Sequence, residues 1–333
     1  MTVNEGKIII HKFESSVLKH NPLKDPYNRD IIVYIPSNYS QSQSKGFPAA
    51  IGLSGFGGNG RTLFNLDPLS ENVEQRMNRL IYEQKCGSMI LVIPDCFTRF
   101  GGNQYINSTA TGMYESYITK EIVPFIRTEY TYSRLGVLGK SSGGYGALYL
   151  AMKYPRIFDG IAAHAPDSGF EYCYLPEFPK VVRNLNTYQG LKKWLRKIWK
   201  KNEGYTPEDR ATHNIVAMAA HYSPTPKNKE TGFDLPFDTY SGEIYTRVWK
   251  RWLSRDPIRM VTRYRKNFEK LKCVYIDCGN RDEFNINLGT RILHSKLREM
   301  DISHFYEEFD GGHTNISYRL DKSLSQLSTD LSS

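Results

Sequence analysis

The strongest chemical signal in the sequence is a serine between two glycines, in the segment Gly139-Lys-Ser-Ser-Gly143. An apolar run that begins at Leu135 comes directly before it, and a helical pattern follows from Tyr145. A Gly-x-Ser-x-Gly pattern between a strand and a helix predicts a sharp turn that lifts the serine hydroxyl clear of a sheet. The turn needs glycine on both sides, because a Cβ there would collide with the neighbouring chain. A glycine-rich turn without chemistry is the alternative, but the flanking strand and helix favour Ser141 as a nucleophile.

A serine nucleophile needs a base, and the base needs an acid that orients it. After a serine in this setting the expected chain order is Asp or Glu and then His, each in a loop that follows a strand. Asp282 lies in a polar loop after an apolar run that ends at Asp277. His313 lies in a second polar loop, after the run that ends near Phe309. The sequence therefore predicts Ser141, Asp282 and His313 as nucleophile, acid and base.

Other residues remain open for the acid and base roles. Asp277 lies inside a strand pattern, where packing or capping is the simpler interpretation, and Glu283 neighbours Asp282 and could replace it. His294 falls on a predicted helix and His304 on a predicted strand, so both are interpreted as structural.

Attack on a carbonyl also requires donors for the negative oxygen that forms. The backbone N–H of Ser142, at the start of the helix after the nucleophile, is the first expected donor. The second is expected in the loop after the third strand, and Leu53-Ser-Gly-Phe-Gly-Gly58 fits that place and composition. We expect the Phe56 N–H to be this second donor, with a plain glycine turn as the alternative.

These residues must be positioned by the strand and helix patterns around them. Strand patterns occur at 30–36, 48–54, 88–94, 135–139, 272–277 and 303–309, and helical patterns at 71–85, 112–127, 288–300 and 315–327. Strands that alternate with helices predict the α/β class, with a mostly parallel sheet and helices on both faces. The Ser-rich tail 323–333 lacks helical periodicity beyond its first turns and is predicted to be frayed.

Residues 171–264 break this alternation. They contain all four tryptophans of the chain and lack clear buried strands, which predicts a helical insertion over one end of the sheet, with 1–170 and 265–333 as the core. Within it, residues 190–201 place apolar side chains at helical spacing and lysines and arginines on the other face. Packing onto the core is the favoured interpretation. An acyl or aryl pocket lined by Trp194 and Trp199, or binding to a membrane surface or an anionic polymer, is the alternative.

The loop 95–105 follows a predicted parallel strand, at the end of the sheet where ligands bind. Arg99, Asn103 and Tyr105 in this loop are candidates for substrate contact, and a hydrogen-bonded structural loop is the alternative. His164 follows another strand pattern and is a further candidate, either as a residue behind those that touch the substrate or as a wall residue of the same cleft.

Composition limits the partners. A net charge of +9 is compatible with anionic partners, but the charge is concentrated in the middle stretch, and no nucleic-acid partner is expected. No run approaches the roughly 18 apolar residues of a membrane span, and the first residues lack the pattern of a secretory signal. The five cysteines are scattered without metal-ligand spacing. Free thiols, no metal, no cofactor and a cytoplasmic location are therefore expected.

With these motifs, the sequence resembles the putative esterase (esterase D-like) family of α/β-hydrolases from about Asp30 to about Leu320. Gly139-Lys-Ser-Ser-Gly-Gly-Tyr-Gly-Ala-Leu148 is similar to the family's nucleophile segment, and Leu53-Ser-Gly-Phe56 to its oxyanion loop. The resemblance implies an α/β-hydrolase fold, acyl-ester chemistry and no cofactor. Lys140 departs from the His, Met, Gln or Glu more usual there, and the long basic insertion is not a general feature of the family, so substrate specificity stays open.

We therefore expect a serine esterase that forms an acyl-enzyme, acting on small or polymer-linked esters, with feruloyl-type aryl esters, lactones and thioesters as further substrates of the same chemistry. Acyl transfer to an alcohol or sugar is the alternative within that chemistry. A catalytically silent binding protein of the same fold is the alternative from another class. The sequence does not indicate an oligomeric state.

Overall fold

The computed structural model describes residues 5–42, 45–200 and 205–333. Within these ranges eight strands form one sheet: β1 (Lys7–Glu14), β2 (Asn28–Ile35), β3 (Phe47–Leu53), β4 (Ile90–Pro94), β5 (Tyr132–Lys140), β6 (Gly160–His164), β7 (Cys273–Gly279) and β8 (Phe305–Phe309). Their order across the sheet is β1-β2-β4-β3-β5-β6-β7-β8. Strand β2 is antiparallel to both β1 and β4, and all other neighbouring pairs are parallel. A separate small hairpin pairs Asn107–Ser108 with Gly112–Met113.

Helices connect and cover the strands. The longer ones are α1 (Val73–Tyr82), α2 (114–129), α3 (Ser142–Lys153), α4 (Phe178–Thr187), α5 (Leu191–Ile198), α6 (Pro207–Tyr222), α7 (Thr246–Leu253), α8 (Pro257–Arg263), α9 (Ile286–Glu299) and α10 (Leu320–Asp330). Helix α2 has a π-helical middle, Tyr117–Ile122, between the α-helical Tyr114–Ser116 and Val123–Glu129. Single turns occupy Gly60–Phe64, Phe170–Cys173, Leu175–Glu177, Arg265–Phe268 and Ser317–Arg319. None of the helices in the described ranges is long and apolar enough to cross a membrane.

The central strands are buried on both faces, as the continuous apolar patterns predict. Every residue of β4, β6 and β7 is buried. Alternate side chains of one strand enter different clusters: Val137 packs with α2 and α3, whereas Leu138 packs with Met77 of α1 and Leu324 of α10. Burial on both faces requires helices on both faces. The predicted α/β class, with a mostly parallel sheet between two helical layers, is therefore confirmed.

The prediction of a frayed Ser-rich tail is wrong. Helix α10 continues to Asp330, and the side chains of Leu324, Leu327 and Leu331 are buried against the sheet. Buried serines between them also form bonds, and the Ser328 hydroxyl accepts a hydrogen bond of 3.0 Å from the Gly87 N–H. Small hydroxyl side chains let the helix approach the sheet closely, which a count of serines does not reveal.

Helices α4 to α8 occupy most of the stretch predicted as an insertion. In α5, Trp194, Leu195 and Ile198 are buried and the lysines are exposed, as the amphipathic pattern predicts. Lys201, at the end of that pattern, lies outside the described residues. Aromatic rings join this stretch to the core, because Tyr222 of α6 packs edge-on against Tyr145 of α3 at a centroid distance of 5.6 Å.

Candidate active site

The turn between β5 and α3 has the predicted sharp geometry. Ser141 has φ 56° and ψ −123°, a combination that a non-glycine residue rarely adopts. An ideal Cβ on Gly139 would lie 2.4 Å from the carbonyl carbon of Gly143, and one on Gly143 would lie 2.1 Å from the Leu53 oxygen. Neither clash could be relieved without moving backbone. The two glycines therefore hold Ser141 at the carboxyl edge of the sheet, and its N–H donates to the His164 oxygen over 2.9 Å.

Asp282 and His313 meet at the same edge, although they are 31 positions apart in the chain. His313 Nδ1 lies 2.7 Å from Asp282 Oδ2, and the two residues are 6% and 5% exposed. The other oxygen of Asp282 accepts the Phe284 N–H over 2.9 Å, and the Phe284 ring packs edge-on against the imidazole. With Nδ1 donating to the carboxylate, Nε2 is the ring nitrogen that is free to accept a proton.

The competing acids have other partners. Glu283 Oε2 accepts the backbone N–H of His313 over 2.5 Å, so this side chain holds the histidine loop rather than the imidazole. Asp277 is fully buried, and its Oδ2 accepts bonds from Arg319 Nε at 2.8 Å and from the Tyr275 hydroxyl at 2.9 Å. The sequence-based interpretation of Asp277 as a packing residue agrees with these contacts.

A third carboxylate, Asp167, lies beside the nucleophile and was not predicted. Ser141 Oγ donates to Asp167 Oδ1 over 3.2 Å, and no hydrogen bond joins Ser141 Oγ to His313 among the described residues. Burial raises the pKa of Asp167, while hydrogen bonds from Tyr174, Ser142 and Gln104 and the nearby His313 oppose the shift. Asp167 follows β6 in a short polar loop. The rule that selected Asp282, a polar residue in a loop after a parallel strand, would have found it.

Two backbone N–H groups remain available next to Ser141. Among the described residues, neither the Phe56 N–H nor the Ser142 N–H has an acceptor, and the latter is at the start of α3, where the first N–H groups have no partner in the helix. The loop that carries Phe56 is fixed by a bond from the Gly57 N–H to the Gly101 oxygen, 2.6 Å long. The Tyr105 hydroxyl donates to the Ser54 oxygen over 2.6 Å and holds the start of the same loop.

Three of the candidate substrate contacts, Asn103, Tyr105 and Trp194, are turned into the protein, so these predictions are wrong. Asn103 Nδ2 donates to the Cys96 oxygen, and the Tyr105 hydroxyl is engaged with Ser54. His164 lines the cavity beside the nucleophile turn, and both of its ring nitrogens are bound, Nδ1 to Asp277 at 2.7 Å and Nε2 to the Ser323 hydroxyl at 2.8 Å. Its contact with a substrate stays a prediction. Trp194 is fully buried, and its Nε1 donates to Asp209 Oδ1 over 3.2 Å. The sequence places these residues in the correct loops and helices, but it does not give the direction of each side chain.

The other two candidates lie at the surface, against each other. The Arg99 guanidinium is 5.4 Å from the centre of the Trp199 ring, a cation–π contact between the loop 95–105 and the end of α5. Trp199 is 41% exposed and also packs against Phe100. Their contact with a substrate stays a prediction.

A cavity of about 390 Å³ lies next to the nucleophile turn, on the face of the sheet that α1 and α10 cover. Its walls are mainly apolar and include Leu138, Leu320 and Leu324, and Phe56 and Lys140 also line it. Burial lowers the pKa of Lys140, whose ammonium makes no hydrogen bond or ion pair with the residues the structure describes. In the described part of the chain, the cavity therefore combines a largely apolar lining with the ammonium of Lys140. As for metals, the described ranges contain no group of three or more His, Cys, Asp and Glu side chains placed to bind an ion.

Comparison with known proteins gives a consistent result. The family model described as "Putative esterase" matches residues 26–324. The uncharacterized protein YbbA of Bacillus subtilis is 26% identical over 236 residues, which cover 59% of this chain and 86% of that protein. A second relative from Bacillus subtilis, the uncharacterized protein YjcH, is also 26% identical, and the match spans 55% of its length.

Solved structures share the fold. An S-formylglutathione hydrolase from Agrobacterium tumefaciens superposes with a TM-score of 0.59 at 17% identity, covering 99% of this chain and 98% of that one. A ferulic acid esterase superposes with a TM-score of 0.59 at 15% identity, covering 98% and 99%. The family match extends over nearly the whole chain, from before β2 into α10. The chain therefore belongs to the putative esterase family, and it is an esterase with the α/β-hydrolase fold.

Proposed function

We propose that the protein hydrolyses carboxylic esters with Ser141 as nucleophile, His313 as base and Asp282 as the acid that orients the base. The observation that carries this assignment is the buried 2.7 Å contact between His313 Nδ1 and Asp282, at the same sheet edge as the strained Ser141 turn. A paired imidazole and a serine held in a disfavoured backbone conformation are the two parts that an acyl-enzyme mechanism needs.

In the first step, rotation of the Ser141 side chain about its Cα–Cβ bond transfers its hydrogen bond from Asp167 to His313 Nε2. His313 takes the hydroxyl proton as Oγ attacks the carbonyl carbon, and the Phe56 and Ser142 N–H groups receive the negative oxygen. The imidazolium then gives its proton to the leaving alcohol, and the acyl group stays on Ser141. Asp282 stabilises the imidazolium in each proton transfer, because the negative charge of its carboxylate lies beside Nδ1 of the ring.

In the second step, His313 takes a proton from a water molecule, which attacks the acyl carbonyl, and the proton returns to Ser141 Oγ as the acid leaves. The mechanism uses no metal or cofactor. The same steps cleave thioesters and lactones, so the names of the two structural neighbours, an S-formylglutathione hydrolase and a ferulic acid esterase, are both compatible with this site.

The cellular setting is part of the proposal. The five cysteines are unpaired and buried, which fits a reducing compartment such as the cytoplasm. Small-molecule esters and esters linked to polymers both remain candidate substrates.

The test is a series of p-nitrophenyl esters from acetate to long chains, with the wild type and Ser141→Ala. We expect turnover by the wild type, and a loss of about 10⁵-fold or more in kcat for Ser141→Ala, because the acyl-enzyme cannot form. Turnover that survives in Ser141→Ala would place the nucleophile elsewhere. Adding an alcohol acceptor separates hydrolysis from acyl transfer: a transferase forms the new ester in preference to the free acid.

A further inference from the structure

The carboxylate of Asp167 lies against the turn that carries the nucleophile and accepts hydrogen bonds from the hydroxyl groups of Ser141 and Ser142. The loop that carries it is held by the Asp167 N–H, which donates to the Ser141 oxygen over 3.4 Å. Asp167 is 5% exposed, and among the described residues its side-chain partners are hydroxyl and amide groups, with no lysine or arginine in an ion pair. A buried carboxylate without a lysine or arginine partner depends chiefly on hydrogen-bond donors for its stabilisation.

The two carboxylate oxygens of Asp167 accept different numbers of hydrogen bonds. Oδ2 accepts three bonds, from the Tyr174 hydroxyl at 2.7 Å, the Ser142 hydroxyl at 3.1 Å and Gln104 Nε2 at 3.3 Å. The Gln104 amide is fixed in this direction, because its oxygen accepts the Tyr222 hydroxyl over 2.9 Å. Oδ1 has a single donor in the described structure, the Ser141 hydroxyl at 3.2 Å.

The proposed mechanism removes that single donor. When Ser141 turns toward His313, Oδ1 loses its bond at the moment when the acyl carbonyl arrives at Ser141 Oγ. Leaving a buried charged acceptor without a donor is costly. Oγ lies 3.2 Å from Oδ1 before the rotation. A change of rotamer moves Oγ only about the Cα–Cβ bond, so the acyl carbon that it attacks stays near Asp167, and a donor on the next carbon of the acyl group can reach the vacated oxygen.

We infer that Asp167 is a substrate-recognition residue and that the enzyme prefers esters whose acyl group carries a hydrogen-bond donor, an ammonium or a hydroxyl, on the carbon next to the carbonyl. This inference rests on the proposed function. The donor replaces Ser141 on Oδ1 and holds the acyl group in place while Oγ attacks. An acyl group without the donor leaves Oδ1 unpaired in the same transition state.

The experiment compares three ethyl esters of equal carbon skeleton: propionate, lactate and alanine ester, with no donor, a hydroxyl and an ammonium. Each kcat/KM is divided by the hydroxide-catalysed rate constant of the same ester, which removes differences in intrinsic reactivity. We expect the wild type to prefer lactate and alanine esters over propionate by about 10- to 100-fold, the range of a hydrogen bond to a charged group. Preference for the alanine ester alone would identify the ammonium as the donor, and preference for both would admit the hydroxyl.

Asp167→Asn should reduce this preference to a few-fold or less, most strongly for the alanine ester, because the negative charge is gone. Tyr174→Phe is the matched control: it removes a donor to Oδ2 and leaves Oδ1 intact, so the preference for donor-bearing acyl groups should persist. If Asp167→Asn is inactive or unfolded, the wild-type ratios alone decide.

Wild-type ratios near one, or ratios that Asp167→Asn leaves unchanged, would overturn the role of Asp167 while Ser141-dependent turnover of all three esters upheld the esterase mechanism. Absence of any Ser141-dependent turnover would instead overturn the proposed function, and the inference with it. The two failures are therefore distinguishable.

Discussion

At the scale of single residues, two carboxylates that are adjacent in the chain have different hydrogen-bond partners. Asp282 contacts the imidazole of His313 at Nδ1, whereas Glu283 accepts the backbone N–H of the same residue. Both positions are acidic and lie in one loop, so sequence reasoning left Glu283 open as a substitute for Asp282. The contacts assign orientation of the ring to Asp282 and orientation of the loop to Glu283.

Asp282→Asn should lower kcat by about 10⁴-fold, because the amide can donate to Nδ1 and so favours the tautomer that cannot accept the Ser141 proton. Steady-state kinetics on a p-nitrophenyl ester measures the loss. Glu283→Gln is the matched control, and it should lose no more than about 10-fold, since its amide oxygen can still accept the His313 N–H. Equal losses in the two variants would contradict the assignment.

The residue scale also shows where the sequence is informative. Ser141, Asp282 and His313 follow from motif and chain order, because each lies in a loop after a strand of one sheet. Asp167 lies in such a loop as well, but the predicted mechanism requires no third carboxylate, so the sequence does not single it out. Asn103, Tyr105 and Trp194 lie in the predicted places with their polar groups turned inward, and only the packed structure determines that direction.

At the scale of elements, the strand–turn–helix unit around Ser141 depends on the absence of side chains at two positions. Helix α3 crosses so close to β3 that a Cβ on Gly143 would overlap the Leu53 oxygen at 2.1 Å. The contacting atom is backbone in a central strand, so it cannot move aside as a flexible side chain could. The close packing of α3 on the sheet therefore maintains the strained backbone conformation of Ser141.

Gly143→Ala should destabilise the protein by about 3 kcal/mol or more and abolish esterase activity, because either α3 or β3 must shift. Chemical denaturation followed by circular dichroism measures the change. Gly87→Ala is the control: an added Cβ there would lie 3.6 Å from the nearest atoms, in ordinary contact, and should change the free energy of unfolding by less than about 1 kcal/mol. A stable, active Gly143→Ala would contradict the packing argument.

Element prediction from the sequence succeeded where periodicity was strong and failed where composition misled. The apolar runs at 88–94 and 272–277 predict strands, and the structure confirms both as β4 and β7, with every residue of the two strands buried. The tail was judged by its serines, whereas its leucines at 324, 327 and 331 are what bind α10 to the sheet. The π-helical middle of α2 has no recognised signal in the sequence.

At the scale of the whole molecule, helix α6 joins the predicted insertion to the core and buries two histidines in doing so. His213 and His221 are 6% and 1% exposed, and the Nε2 atom of each is buried without a partner in the described residues. Burial lowers the pKa of His213 to about 4 and that of His221 to about 3. Both side chains are therefore neutral in the folded protein at pH values where they would be charged in the unfolded chain.

This difference makes the fold sensitive to acid. Below the ordinary histidine pKa of about 6.5 the unfolded chain binds protons that the folded protein does not, so the free energy of unfolding falls as the pH falls. Between pH 7 and pH 5 each of these two histidines should lower the free energy of unfolding by about 2 kcal/mol. The decrease should level off near the lowered pKa values. Urea unfolding at a series of pH values measures the slope.

His213 and His221 should contribute about equally to this pH dependence. The variant His221→Gln should therefore remove roughly half of their joint contribution. His20→Gln is the control, since His20 is exposed and its replacement should leave the slope unchanged. A wild-type slope that His221→Gln does not alter would show that the buried histidine is not responsible. The sequence indicated a helical insertion here, but it gave no sign of which histidines the helix would bury.

The central claim, that Ser141 is the nucleophile of an acyl-enzyme, is tested most directly by covalent labelling. A fluorophosphonate phosphonylates a serine, with loss of fluoride, only where a base activates the hydroxyl. Intact-protein mass spectrometry should therefore show one added phosphonyl group, and peptide mapping should place it on Ser141. The Ser141→Ala variant should remain unlabelled. A label on another residue, or a label retained in Ser141→Ala, would contradict the account.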